Sequence, residues 1–109
     1  MYIRSQEGGR IINIKNVVYI NLFFNGNYIV EAYLEPSTNG KCLTIATYST
    51  KELAIKALDM YEENLEHYLN YEINKLNSTD IFLPNFIFRF PREENLTKKE
   101  DNTSCIFNN

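Results

Sequence analysis

The residues best placed to do chemistry are acidic. Between positions 59 and 72 the chain carries Asp59, Glu62, Glu63, Glu66 and Glu72 with no lysine or arginine among them. At helical spacing these carboxylates form a concentrated negative face, which suits docking on a basic protein groove or imitating a nucleic-acid backbone. The same pattern also describes an ordinary solvated helix face. His67, the only histidine, follows Glu63 by four residues, a spacing that can hold a metal. One such pair falls short of a ligand set, so neither a metal nor a cofactor is expected.

A second group is cationic. Arg4, Gln6 and Arg10 flank Glu7-Gly8-Gly9. Arg4 and Gln6 point the same way along a strand, and Arg10 approaches them across a short turn, making a donor-rich spot suited to phosphate or carboxylate, such as an anionic nucleotide. Charges on a sheet edge also guard against aggregation, with no ligand involved. Tyr19, Phe23 and Tyr28 fall on one predicted face and could stack a base, though aromatics in so small a domain also serve as core. No glycine-rich phosphate loop, Cys-x-x-Cys or nucleophile elbow occurs, so no catalytic residue is assigned and the protein is not expected to be an enzyme.

The elements that must position these groups follow from periodicity. Tyr2–Gln6 and Arg10–Ile14 read as strands joined by the glycine turn, which explains an ordered start at the second residue. Val17–Phe24 and Tyr28–Leu34 surround Asn25-Gly26, the strongest local hairpin signal. A two-residue turn there puts Tyr19, Asn21 and Phe23 on one face with Tyr28, Val30, Ala32 and Leu34. Val18, Ile20, Leu22 and Phe24 then share the other with Ile29, Glu31 and Tyr33. Both faces are largely apolar, so the second should be covered by the helix, the tail or another subunit.

Pro36–Gly40 is a turn cluster, and Lys41–Tyr48 reads as a further strand. The period then changes. Ser49-Thr50-Lys51-Glu52 fits a capping box, and Leu53, Ala57, Leu58, Tyr61, Leu65, Tyr68, Leu69, Ile73 and Leu76 keep three-to-four spacing. An unbroken helix of that length reaches about 40 Å, which predicts a break or an overhang near Asn70. Asn77–Asp80 ends it, and the proline-bracketed stretch from Pro84 to Pro91 suits a short edge strand. The fold class is therefore α+β: an antiparallel sheet of about five strands, one long helix packed on it, a short edge strand and a disordered polar tail. Residues 1–93 form a single domain and 94–109 the tail.

With 109 residues, 44% apolar and 23% charged, the chain is large enough for one core without metal or disulfide staples. The net charge of −3 disfavours direct nucleic-acid binding. The absence of a long apolar run and of an apolar leader predicts a soluble, cytoplasmic protein without membrane contact. Cys42 and Cys105 read as free thiols. The two-sided apolar hairpin at residues 17–34 leaves a homo-oligomer, or a structural accessory protein built on one, open.

Three segments carry a resemblance: Tyr2-Ile3-Arg4-Ser5-Gln6, the run from Ala46 through Tyr48-Ser49-Thr50 to Asp59, and Pro91-Arg92-Glu93. Together they resemble a family of small uncharacterised proteins carried by phages and mobile elements of AT-rich Gram-positive bacteria, which begin with a hydrophobic-Ile-Arg-Ser-Gln segment and enter their helix through Tyr-Ser-Thr. The likeness spans residues 1–93. It implies a non-enzymatic inhibitor of host defence, such as an anti-CRISPR protein, working in the host cytoplasm by binding; the acidic helix face makes a defence protein or nuclease with a basic surface the expected partner. In that setting the acidic helix face itself, read from its charge and spacing, supplies Asp59, Glu62, Glu63 and Glu66 as the candidate partner-binding residues.

Overall fold

The fold is that of a computed structural model, which describes residues 1–35, 41–75 and 86–97. The turn cluster at 36–40, the helix end and loop at 76–85, and residues 98–109 with Cys105 lie outside the described residues. The chain is α+β, and its described residues form six strands, one long helix and two short helical turns.

The single sheet of about five strands is corrected to two sheets of three. The first has the order β2-β1-β6 and joins β1 (Tyr2–Arg4), β2 (Ile11–Asn13) and β6 (Ile87–Arg89). β2 lies antiparallel and β6 parallel to β1. A 3₁₀ turn at Ile14–Asn16, opened by the Asn13 side chain accepting from the Lys15 amide, redirects the chain after β2 and separates the sheets. On the inner face Ile12, Ile3 and Phe88 stand in one row, all buried. The short strand after the loop is at the sheet edge, as its flanking prolines predict.

The second sheet has the order β3-β4-β5, from β3 (Val17–Asn25), β4 (Asn27–Leu34) and β5 (Cys42–Tyr48), all antiparallel. The hairpin forms where Asn-Gly predicts it, but its register is one residue off. A two-residue turn pairs Phe24 with Asn27, whereas Phe24 stands opposite Tyr28 and Asn25 opposite Asn27, around Gly26 at φ +80°. The extra turn residue exchanges the faces. Ile20, Leu22 and Phe24 share the inner face with Tyr28, Val30 and Ala32, while Tyr19, Asn21 and Phe23 share the outer one with Ile29, Glu31 and Tyr33. The predicted aromatic trio is thereby split. Tyr19 stacks on Tyr33 outside, ring centroids 4.4 Å apart, and Tyr28 meets Phe24 inside at 4.9 Å.

The helix α1 (Lys51–Lys75) packs on β4 and β5 through Ala54 and Ala57, both fully buried. Alanine at these positions, facing Ala32 and Ala46 in the same core, lets the helix lie close on the sheet. Leu53, Leu58, Met60 and Tyr61 extend the contact, and Tyr61 lies 5.8 and 5.7 Å from the rings of Phe88 and Phe90. Each fully buried aliphatic or aromatic side chain contributes about 1.5–3 kcal/mol.

The helix runs unbroken past Asn70, so of the two predicted outcomes the overhang holds. Leu69 and Ile73 are exposed there, and Tyr68 and Tyr71 grip Phe86 at 5.5 and 5.2 Å. The ordered structure also extends beyond the expected boundary at residue 93. Residues 93–97 form a helical turn whose Leu96, 2% exposed, is part of the core. An isolated leucine in a polar run carries no periodic signal, which is why that turn is not legible in the sequence. Among the described residues, no helix is long and apolar enough to cross a membrane.

Candidate functional site

Residues 4–6, 45–50 and 89–93, remote in sequence, converge on Gln6. A bulge in β5 leaves the Ile45 carbonyl turned out of the β4 ladder, and it accepts from the Gln6 amide N–H at 2.8 Å. The Gln6 side chain then acts as a short extra strand against the free edge of β5. Its Oε1 accepts from the Thr47 N–H at 3.1 Å, and its Nε2 donates to the carbonyls of Thr47 at 3.1 Å and Pro91 at 3.2 Å. The buried Tyr48 hydroxyl donates to the same Pro91 carbonyl at 2.7 Å. Burial, with Glu93 nearby, pushes that phenol far up, so it remains a donor at all ordinary pH.

The clasp continues into the helix start, where the expected capping box is replaced. Thr50, not Ser49, caps α1: its Oγ1 accepts from the Leu53 amide at 3.3 Å. Glu52 therefore sits one position too early to reach back. Glu93 takes that part from the far end of the chain, its Oε1 accepting from the Ser49 N–H at 2.6 Å and the Ser49 hydroxyl at 2.5 Å. These two bonds hold the Glu93 carboxyl below the usual carboxylate range. Residues 4–6, 45–50 and 89–93 thus meet in one junction that ties both sheets to the helix.

The cationic spot loses its middle member to this junction. Both ends of the Gln6 amide are engaged with backbone. Arg4 donates from Nε to the Gly8 carbonyl at 3.0 Å, and the exposed Arg10 borders a cleft of about 290 Å³ between the first turn and β5. Arg89, which sequence analysis missed, stands opposite Arg4 in the parallel β1/β6 pair and donates to the Gln6 carbonyl at 3.2 Å. Gly8, at φ +86°, makes room: a Cβ there would lie 3.0 Å from one guanidinium nitrogen of Arg89 and 3.5 Å from one of Arg4. Two guanidiniums side by side, anchored by carbonyls and without a carboxylate partner among the described residues, form a fixed concentration of positive charge. Pairing across a parallel strand from the other end of the chain left no local signal.

Asp59, Glu62, Glu63 and Glu66 are all exposed and form a ridge on α1 within about 100° of arc at 100° per residue, Glu62 at its margin bordering the groove between α1 and β3. None has an ion-pair partner among the described residues. His67 is exposed beside them, and Glu72 is half-buried with partners of its own. No group of three or more metal-ligating side chains occurs among the described residues. On the outer sheet face the Cys42 thiol donates to Glu31; desolvation and that bond raise its pKa, which keeps it protonated and a poor nucleophile at neutral pH.

Comparison with known proteins adds no relative: no family model, no curated protein and no solved structure matches the chain.

Proposed function

We propose that this protein is a non-enzymatic inhibitor of phage or mobile-element origin that docks the acidic ridge of α1 on a basic surface of a host defence protein in the host cytoplasm. The exposure of Asp59, Glu62, Glu63 and Glu66 on one helix side, none of them in an ion pair among the described residues, carries the proposal. Carboxylates left in water retain their charge for a partner, and a rigid helix packed at its Ala54 and Ala57 face presents them at fixed spacing. The phage setting rests on the resemblance of the opening, helix-entry and closing segments.

The test is capture from host lysate with the native protein and with the triple reversal Glu62→Lys, Glu63→Lys, Glu66→Lys. The native protein should retain a basic partner that added salt releases, and the reversal should lose it while keeping native circular dichroism. Equal capture by both proteins would rule the ridge out.

A second reading, a receptor or sponge for an anionic nucleotide signal, is favoured by the opposed Arg4 and Arg89 guanidiniums above Gly8. Fixed guanidinium pairs suit phosphate oxygens. Inorganic phosphate and mono-, di- and cyclic nucleotides should raise the melting temperature of the native protein but not of Arg89→Ala. No shift at millimolar ligand would eliminate this reading.

A further inference from the structure

We infer that the protein is a homodimer in which the β3 edges of two copies pair antiparallel about Leu22, making one continuous six-stranded sheet with both helices on the same face. The edges of the two sheets are treated very differently. β2 and β6 are three residues long, and β5 is covered by the Gln6 clasp. β3 runs for nine residues without a charge or a proline, the composition that invites edge pairing. Its exposed side chains include Tyr19 at 53% and Phe24 at 63%.

The backbone phase selects the register. Leu34 donates to Lys41 on the β5 side, and the next residue, Glu35, donates to Asn16 on the β3 side. Alternation along β4 then assigns Tyr33, Glu31 and Ile29 to bonds with Tyr19, Asn21 and Phe23 of β3. The N–H and C=O groups of Ile20, Leu22 and Phe24 therefore point to the outer edge of β3, which no strand among the described residues pairs. A two-fold axis at Leu22 sets Leu22 against its own copy and Ile20 against the second copy's Phe24, so every outward group meets an outward group. The bulge between Val17 and Tyr19 lies beyond the paired stretch.

The side chains agree with this register. Ile20 lines an apolar groove of about 460 Å³ between β3 and α1, walled by Leu58, Tyr61 and Leu65. The exposed Phe24 is on that same sheet face, and the pairing sets the second copy's Phe24 directly opposite Ile20, at the groove. Glu62 is the one charge among the groove residues, and β3, from Val17 to Asn25, brings no like charge against it. The occupant is thus a second copy rather than a foreign strand, because this uncharged strand is complementary to itself in hydrogen-bond phase and sets an apolar ring at each groove.

Sedimentation equilibrium should give twice the 12.8 kDa chain mass for the native protein, and the chain mass for Phe24→Lys with unchanged circular dichroism. A native protein that stays monomeric at millimolar concentration, or a folded Phe24→Lys that remains dimeric, overturns the inference. Should Phe24→Lys unfold, cross-linking decides in a Cys42→Ser, Cys105→Ser background. Tyr19→Cys with Asn25→Cys, opposite each other in this register, should form a covalent dimer on mild oxidation, and failure to do so overturns it.

Discussion

The clasp around Gln6 and the surface formed by β3 with the outer side of α1 are opposites. In the clasp, polar groups face one another: the Gln6 amide and the Tyr48 hydroxyl meet backbone groups of Thr47 and Pro91, and the Glu93 carboxylate accepts from the Ser49 N–H and hydroxyl, all at 2.5–3.2 Å. No buried side-chain nitrogen or oxygen among the described residues lacks a partner. On β3 and the acidic ridge the reverse holds among the described residues, with exposed aromatics, a strand edge that no other strand pairs and carboxylates in no ion pair. Motif-like residues are therefore structural where they converge, and the surface available for binding is where side chains have no internal work. The opening Ile-Arg-Ser-Gln segment illustrates this: Ser5 is the one buried polar residue among those described, its Oγ accepting from the Arg10 amide, and Gln6 is a strand surrogate.

This contrast can be broken most sharply at its centre. Gln6→Ala removes three side-chain hydrogen bonds and should cost about 2–4 kcal/mol, lowering the melting temperature by roughly 10 °C or more, as calorimetry would show. A loss within 0.5 kcal/mol would mean that the clasp is ornamental and that Gln6 is available to a ligand. The triple reversal at Glu62, Glu63 and Glu66 should do the opposite. Partner affinity should fall at least tenfold, or about 1.4 kcal/mol, while stability in urea moves by no more than about 0.5 kcal/mol per site.

Tyr48→Phe deletes one hydrogen bond to a carbonyl that Gln6 still serves, so the expected cost is about 1 kcal/mol in denaturant titration. The smallest effect is on pH dependence. Glu93 has a folded-state pKa below its unfolded one, so its bonds to Ser49 stabilise the fold above the ordinary glutamate pKa. That contribution is lost as pH falls through the lower, folded value. Glu93→Gln should flatten this acid-side slope in stability measured from pH 6 to 3, and an unchanged slope would remove Glu93 from the clasp.

Much of the local structure was legible. The glycine turn at Gly8, the Asn-Gly hairpin, the entry to α1 near residue 50 and the stripe through Ala57 and Tyr61 all depend on neighbours within a few residues, where chain stereochemistry and solvent exposure act directly. The acidic ridge was legible for the same reason, since helical spacing alone decides which carboxylates share a side. The hairpin register was not: whether Asn25-Gly26 makes a two-residue turn or a longer one changes the local energy little, and packing of Ile20 and Leu22, in place of Tyr19 and Asn21, beside Val30 and Ala32 against the core selects between them.

Sequence-local physics thus settled which segments are strands and which is the helix, and which charges remain in water. Only the assembled fold decided that five strands and an edge become two sheets, that β1 pairs in parallel with a strand over 80 residues away, and that Glu93 completes a helix start at Ser49. Those outcomes depend on hydrogen-bond partners brought together by burial of Ile3, Phe88, Phe90 and Leu96 in one core. A carbonyl freed by a bulge at Ile45 advertises nothing in the chain around it until the core has placed Gln6 beside it.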